Sequence, residues 1–334
     1  MKEIKMNFQI ITFKEFLKTN KKKELLNILS NLWNEEYGFI FPISYDLMNR
    51  NTYQTKGFLE ENSYVAICDE MIVGFVTSKI WTHEIELESY KSTGWISLIY
   101  VHPKFRKKGI GSELLIKVES NFKILGKKEL YVGRDYQNFF PGIPMDLKSS
   151  LGWFAKRGYS CLYETNDLIK YVKDDEQLVA LRPFKDGKKY EIRLSNQNDF
   201  DVLIEFMRRN YPGRWLVEVN DCFDLCKSNY FLCFDENNHL CGFCRFGNNE
   251  TDNYGIGYSL TWRNRFESLG GIGPIGVEAS YRKNNIAYNL LVSALNYLIE
   301  HGSTEIIIDW TNLMDLYRKI GFEIWKSYTY VRKE

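Results

Sequence analysis

The chain has 334 residues, 44% of them hydrophobic, which supplies apolar material for two modest cores and excludes a disordered polypeptide. With 44 basic and 43 acidic residues the net charge is +1, so there is no polyanion footprint and no nucleic-acid partner is expected. No run of about 18 apolar residues predicts a membrane span. The opening Met1-Lys2-Glu3-Ile4-Lys5 leads into mixed sequence with no leader pattern, so a cytoplasmic protein is expected.

Helices are expected within 13–60. Tyr64-Val65-Ala66-Ile67-Cys68 then leads through Asp69-Glu70 into Ile72-Val73-Gly74-Phe75-Val76, which reads as a β-hairpin. A strand-like run, Ile96 to Val101, precedes Arg106-Lys107-Lys108-Gly109-Ile110-Gly111 and a helix-like run from Ser112 to Leu125, with Leu114, Leu115, Val118 and Phe122 at helical spacing. Glu129-Leu130-Tyr131-Val132 predicts a buried strand. Arg134 to Leu147 carries Phe139-Phe140-Pro141-Gly142-Ile143-Pro144, whose turn residues predict a shaped loop that either walls an acceptor pocket or fills a domain interface. A short helix through Trp153 and Phe154 ends at Gly158.

From Tyr230 the pattern returns. Tyr230 to Phe234 and Leu240 to Cys244 form a second hairpin, and Gly273 to Arg282 aligns with Ser97 to Arg106 without a gap. Leu290, Leu291, Ala294, Leu295 and Leu298 repeat the helical stripe; Glu305 to Ile308 repeats the strand; Leu316 to Phe322 repeats the closing helix and its glycine. A repeat of roughly 150 residues is a duplicated domain. The polar stretch Asp174 to Lys189 separates domains at 1–175 and 185–334. The element order predicts α/β architecture: two tandem domains, each a twisted mixed sheet flanked by helices.

A glycine-rich turn between strand and helix leaves backbone N–H groups and the positive helix end facing an anion. Gly109 and Gly111 let that anion approach the main chain. The ligand is therefore expected to be a phosphate-bearing cofactor.

In these residues the chain resembles the GCN5-related N-acetyltransferase superfamily, twice. Arg106 to Gly111 matches that family's R/Q-x-x-G-x-G/A motif; the second copy, Arg282-Lys283-Asn284-Asn285-Ile286-Ala287, has Asn285 where the family prefers glycine. Tyr317, Gly321 and Phe322 fit the family's closing Tyr-x-x-x-Gly-Phe, while Phe154 holds the tyrosine position of the first copy. Tyr211 to Trp215 and Asp309-Trp310-Thr311 resemble two-domain bacterial members, among them glucosamine N-acetyltransferases. The resemblance implies acetyl transfer from acetyl-CoA to a primary amine of a small molecule, by direct attack in a ternary complex.

It also implies roles. Lys108, Gly109, Gly111 and Ser112 would cradle the CoA pyrophosphate, with Arg106 adding charge; Arg282, Asn285 and Ala287 would do so in the second copy. An N–H near Val101 or Val277 would face the oxyanion. Tyr317 is the expected acid. Asp309 and Glu278 are candidate bases in the second domain, His102 and Glu113 in the first; Asp309 otherwise reads as a helix N-cap. The second domain is expected to carry the chemistry. Trp215 and Trp262 are candidate sugar platforms. The alternatives are an aminoacyl-tRNA-dependent cell-wall transferase and a non-catalytic acyl-CoA sensor. Cys222, Cys226, Cys241 and Cys244 faintly imitate a zinc ribbon, but reduced, buried thiols and no metal are expected.

Overall fold

The computed structural model describes residues 7–226, 229–248 and 260–334; the side chains at 222 and 224–226, and with them the Cys222 and Cys226 pair, lie outside the described set. The first half runs β1 (Gln9–Thr12), α1 (Phe13–Phe16), α2 (Lys22–Tyr37), α3 (Tyr45–Arg50), β2 (Tyr64–Cys68), β3 (Met71–Ile80), α4 (Glu88–Lys91) and β4 (Thr93–Val101). It continues through α5 (Ile110–Ile124), β5 (Glu129–Val132), β6 (Ile143–Pro144), α6 (Ser149–Ala155) and β7 (Ser160–Tyr171). The second half repeats the order: β8 (Tyr190–Leu194), α7 (Phe200–Asn210), α8 (Arg214–Cys226), β9 (Tyr230–Asp235), β10 (Leu240–Asn248) and β11 (Leu269–Val277). It closes with α9 (Ile286–Glu300), β12 (Glu305–Thr311), α10 (Met314–Arg318) and β13 (Glu323–Lys333).

Two compact units result. The first holds residues through Thr165, with 260–265 and 328–334; the second holds the described residues of 166–258 and 266–327. In the first, the sheet order is β1–β2–β3–β4–β5, followed by residues 331–333 of β13. In the second it is β8–β9–β10–β11–β12, followed by residues 166–171 of β7. Each sheet is thus completed by a strand drawn from the other half of the sequence. Both sheets are antiparallel except for one parallel pair, β4 with β5 and β11 with β12, which needs the crossover that α5 and α9 provide.

The helical stripes explain the layers. Leu114, Leu115, Val118 and Phe122 of α5 are at most 1% exposed and pack on Val76, Ile96 and Phe154. Leu25, Leu26, Leu29 and Trp33 of α2 cover the other core of the first unit, with Phe75, Leu98 and Tyr100. Phe139 and Phe140 of the 134–147 loop belong to that same core. In the second unit α9 buries Leu290, Leu291, Ala294, Leu295 and Leu298, while Phe206 of α7 and Trp215 of α8 make ring contacts with Phe243. Truncating any of these fully buried leucines to alanine costs about 2–5 kcal/mol. Among the described residues no helix is long and apolar enough to cross a membrane.

The polar stretch between the repeats is not a free linker. Asn296 Oδ1 accepts from Val179 N and its Nδ2 donates to Val179 O, both at 2.9 Å. Asn289 grips Arg182 in the same two-way manner at 2.8 and 2.9 Å. Seven residues apart, these two asparagines share a face of α9 and offer the extended segment a side-chain substitute for a strand partner. Asn284 Oδ1 continues the row by accepting from Lys185 N and Asp186 N.

The four bonds made by Asn289 and Asn296, at about 1 kcal/mol each, hold the segment. Replacing Asn289 and Asn296 together by alanine should accelerate tryptic cleavage within residues 185–189 at least tenfold while leaving the rest of the chain intact.

Candidate active site

In each unit the parallel strand pair comes apart. β4 pairs with β5 only from Thr93↔Glu129 to Ile96↔Val132; Gly133 N then donates to Ile96 O at 2.9 Å and β4 runs on to Val101 with no β5 residue opposite. β11 and β12 pair only from Leu269↔Glu305 to Gly271↔Ile307, and β11 continues to Val277. A slot with one exposed strand edge is left in both sheets, and an extended ligand can enter it by strand addition.

At the end of the free edge lies the loop. Lys107 and Gly109 have φ of 62° and 90°; Lys283 and Asn285 have 65° and 65°. The two loops therefore share one backbone, and Asn285 reproduces the left-handed turn that Gly109 makes without a Cβ. Neither α5 nor α9 has a side-chain cap, so the first-turn N–H groups remain available to an anion. At Gly111 an added Cβ would sit 3.4 Å from Trp153 Cζ2, ordinary contact, so this position tolerates a residue as small as the second copy's Ala287.

The motif arginines play a different part from the one expected. Arg106 Nε donates to Val101 O at 2.8 Å, its Nη1 donates to Glu36 Oε1 at 2.9 Å, and its Nη2 pairs with Glu36 Oε2. Arg282 Nε likewise donates to Val277 O at 3.1 Å. Both tie the loop to the last carbonyl of its strand. Lys108 stands over the Phe105 ring, 5.3 Å from its centroid. A cation that sequence reasoning missed lies nearer the first helix turn: Arg157 stacks 3.9 Å from the Trp153 ring and donates to Ser112 Oγ at 2.6 Å. Its signal was the arginine before Gly158, where the second copy has Ile320.

A cavity of about 730 Å³ joins these parts in the first unit, lined by Gly109, Gly111, Ser112, Trp153 and Arg157 at one end and by Trp33, Leu98, Tyr100 and Phe140 at the other. The two ends belong to the cores on opposite faces of the sheet, so the cavity passes through the slot. Phe154 lines it, and no Asp, Glu or His is among its described lining residues. His102 and Glu113 are thus away from it. His102 Nδ1 accepts from Lys104 N at 3.3 Å, and Glu113 is exposed. The uncapped turn, the slot and the cavity suit CoA: first-turn amides and Arg157 for phosphates, the β4 edge for the pantetheine arm.

The second unit holds the titratable groups. After Ile308 the register of β12 shifts; Trp310 takes φ of 50° and its N–H donates to buried Asp167 at 2.9 Å. That bulge turns Asp309 toward the slot, where a Cβ added at Gly273 of β11 would lie 3.7 Å from Asp309 Oδ1. Burial raises the Asp309 carboxyl to about 6, with Glu218 adding to the rise and Arg214 opposing it. Arg214 Nε donates to Glu218 at 2.6 Å and its guanidinium lies 4.7 Å from the Trp310 ring. Asp309 does not cap α10: Thr311 Oγ1 accepts from Leu313 N at 3.1 Å, and the helix has no side-chain cap. Tyr317 is 4% exposed, and burial pushes its hydroxyl up to about 12.

Glu278 stands apart from this set. Burial raises its carboxyl, but hydrogen bonds from His239, Ser280 and Arg209 outweigh that and hold it low, so it is an ion-pair partner and a poor proton acceptor. Trp262 is 1% exposed inside the first unit and presents no face to a sugar. Trp215 of α8 packs against Tyr211, which ends α7, at 5.0 Å. Cys241 and Cys244 are buried, and burial pushes the Cys241 thiol up to about 12.

A profile of the Acetyltransferase (GNAT) family matches residues 26–140 and again 200–322. Among solved structures, the GCN5-related glucosamine N-acetyltransferase region of a fungal multi-domain GH3 β-N-acetylglucosaminidase aligns with TM-score 0.83 and 22% identity, over 98% of this chain and 38% of that one. This chain thus spans well under half of that protein. A GCN5-related N-acetyltransferase from Sphaerobacter thermophilus aligns with TM-score 0.67 and 16% identity over 98% and 95% of the two chains. A tandem GNAT protein from the clavulanic acid biosynthesis pathway aligns with TM-score 0.63 and 13% identity over 98% of each. At these identities the likeness is one of fold. A comparison with curated protein sequences found no match.

The raised Asp309 carboxyl has a stability cost of definite sign. The folded chain retains a proton that the unfolded chain releases between about pH 4 and 6, so stability falls across that window as pH rises. Asp309→Asn should therefore melt a few degrees above the parent at about pH 7.5 and level with it at about pH 4.

Proposed function

The chain belongs to the Acetyltransferase (GNAT) family, and from that premise we propose that its second unit acetylates the primary amine of an amino sugar. As a family member it is an N-acetyltransferase with acetyl-CoA as cosubstrate. The observation that carries the assignment to the second unit is the Asp309 carboxylate at the β11 slot, with a proton affinity near neutrality and Tyr317 in the same unit. The first unit has Phe154 in place of the tyrosine, and its cavity lining holds no carboxylate or imidazole among the described residues.

Acetyl-CoA brings an activated thioester. Asp309, ionised above about pH 6, takes the proton that the attacking nitrogen must lose. Tyr317, protonated until about 12, gives its proton to the departing sulfur. The free β11 edge ending at Val277 supplies backbone N–H groups for the carbonyl oxygen as charge builds there. With Asp309 and Tyr317 cast as base and acid, the proposed attack of the amine on the thioester is direct, as the family resemblance implies.

The sugar reading is supported by Trp215 and its neighbour Tyr211, whose hydroxyl donates to Val277 O at 3.0 Å, by the Arg214–Glu218 pair for hydroxyl recognition, and by the name of the fungal region with the same fold. Release of CoA thiol from acetyl-CoA is expected when glucosamine is added. Tyr317→Phe should slow it at least tenfold and Asp309→Asn about a hundredfold, within the usual range for acid and base groups. Full activity in both variants would contradict the assignment, and silence of the parent on glucosamine but not on other amines would move only the acceptor.

A further inference from the structure

We propose that the first unit is a second acyl-CoA site that binds without transferring, and that its inner compartment selects acyl chains longer than acetyl. The inference rests on the cosubstrate reading above and adds a ligand class that this reading does not require.

Three observations carry it. First, the cavity does not stop at the slot. It continues to the α2 face, where Trp33, Leu98, Tyr100, Phe140 and Leu147 line it. An acetyl group would leave most of that compartment unfilled, and apolar surface that a ligand can cover favours a longer hydrocarbon. Second, the compartment has the wrong chemistry for an amine. An ammonium there would meet rings and aliphatic side chains with no carboxylate or imidazole among the described lining residues, and burying it unpaired is costly. The buried acid next to the lining, Asp135, accepts from Ser97 Oγ at 3.0 Å and is paired with Lys79, and Glu36 is held by Arg106. Third, Tyr100 is 3% exposed, and its hydroxyl has no hydrogen-bond partner among the described residues. A buried hydroxyl left unsatisfied is unusual in a packed core, and an acyl carbonyl is an acceptor it can serve.

The loss of chemistry is equally concrete. Phe154 occupies the position of Tyr317 and is 2% exposed, so that position supplies no phenol. The counterpart of Asp309 is Gly133, which follows β5 as Asp309 follows Ile308. The cradle, by contrast, is complete, and Arg157 adds a cation where the second copy has Ile320. Binding parts are kept and transfer parts are missing.

The test is calorimetric titration of the full chain with CoA, acetyl-, butyryl-, hexanoyl- and octanoyl-CoA. One class of sites should tighten about threefold or more per added methylene until the compartment is full, while the other prefers acetyl. Leu98→Trp, which fills the compartment and leaves the loop alone, should abolish the chain-length gain but keep CoA binding. The double variant Asp309→Asn with Tyr317→Phe should still bind octanoyl-CoA at parental strength and release no CoA with any amine. Equal affinity for CoA and all acyl forms in the parent overturns this inference alone, as does transfer that survives in the double variant. Failure of every CoA species to bind would instead overturn the cosubstrate reading.

Discussion

The early parting of two parallel strands governs everything else in each unit. Parallel ladders normally lie buried with their hydrogen bonds satisfied on both sides. Here β4 and β11 each run several residues past their last parallel partner, at Ile96 and Gly271. The unpaired edge needs a hydrogen-bonding partner, and an extended ligand arm is one. The following loop then has to turn sharply, which the left-handed residues at 107, 109, 283 and 285 achieve, and the helix must begin without a cap. Slot, turn and open helix end are one geometric consequence seen three times.

Duplication allowed these consequences to be used differently. In the second unit the strand after the slot bulges at Trp310 and presents Asp309, at the cost of holding a half-buried carboxyl that would be more comfortable protonated. In the first unit the left-handed residue recurs, with φ of 53° at Arg134, but glycine precedes it, and the acid that follows, Asp135, is paired with Lys79. The insertion after that bulge brings Phe139 and Phe140 into the α2 core, so one face of the slot became apolar. On the proposed division of labour, proton transfer and the covering of a hydrocarbon chain place opposite demands on the same wall, and a tandem chain can meet both.

Much of this was legible in the residues. Hairpins, the helical stripes of α5 and α9, and the strand–loop–helix cradle follow from periodicity and glycine placement, which depend on local geometry. Asn285 was legible too, because asparagine is among the few residues that accept the turn it makes. Partners distant in sequence were not. Nothing at Arg106 signals that Glu36, seventy positions earlier, would occupy its guanidinium, or that Glu278 would be tied up by Arg209 and His239. Trp262 reads as a possible platform until its complete burial is known. The pairing of β5 with residues 331–333 and of β12 with 166–171 is likewise hidden, since any edge strand of suitable pattern can complete a sheet.

The central claim is that Asp309 is the proton acceptor for acetyl transfer. The pH dependence of kcat/KM for the amine acceptor tests it most directly. A rising limb with apparent pKa about 6 is expected in the parent, and Asp309→Asn should lose that limb along with most of the rate. A limb near 6 that persists in Asp309→Asn at undiminished rate would contradict the account.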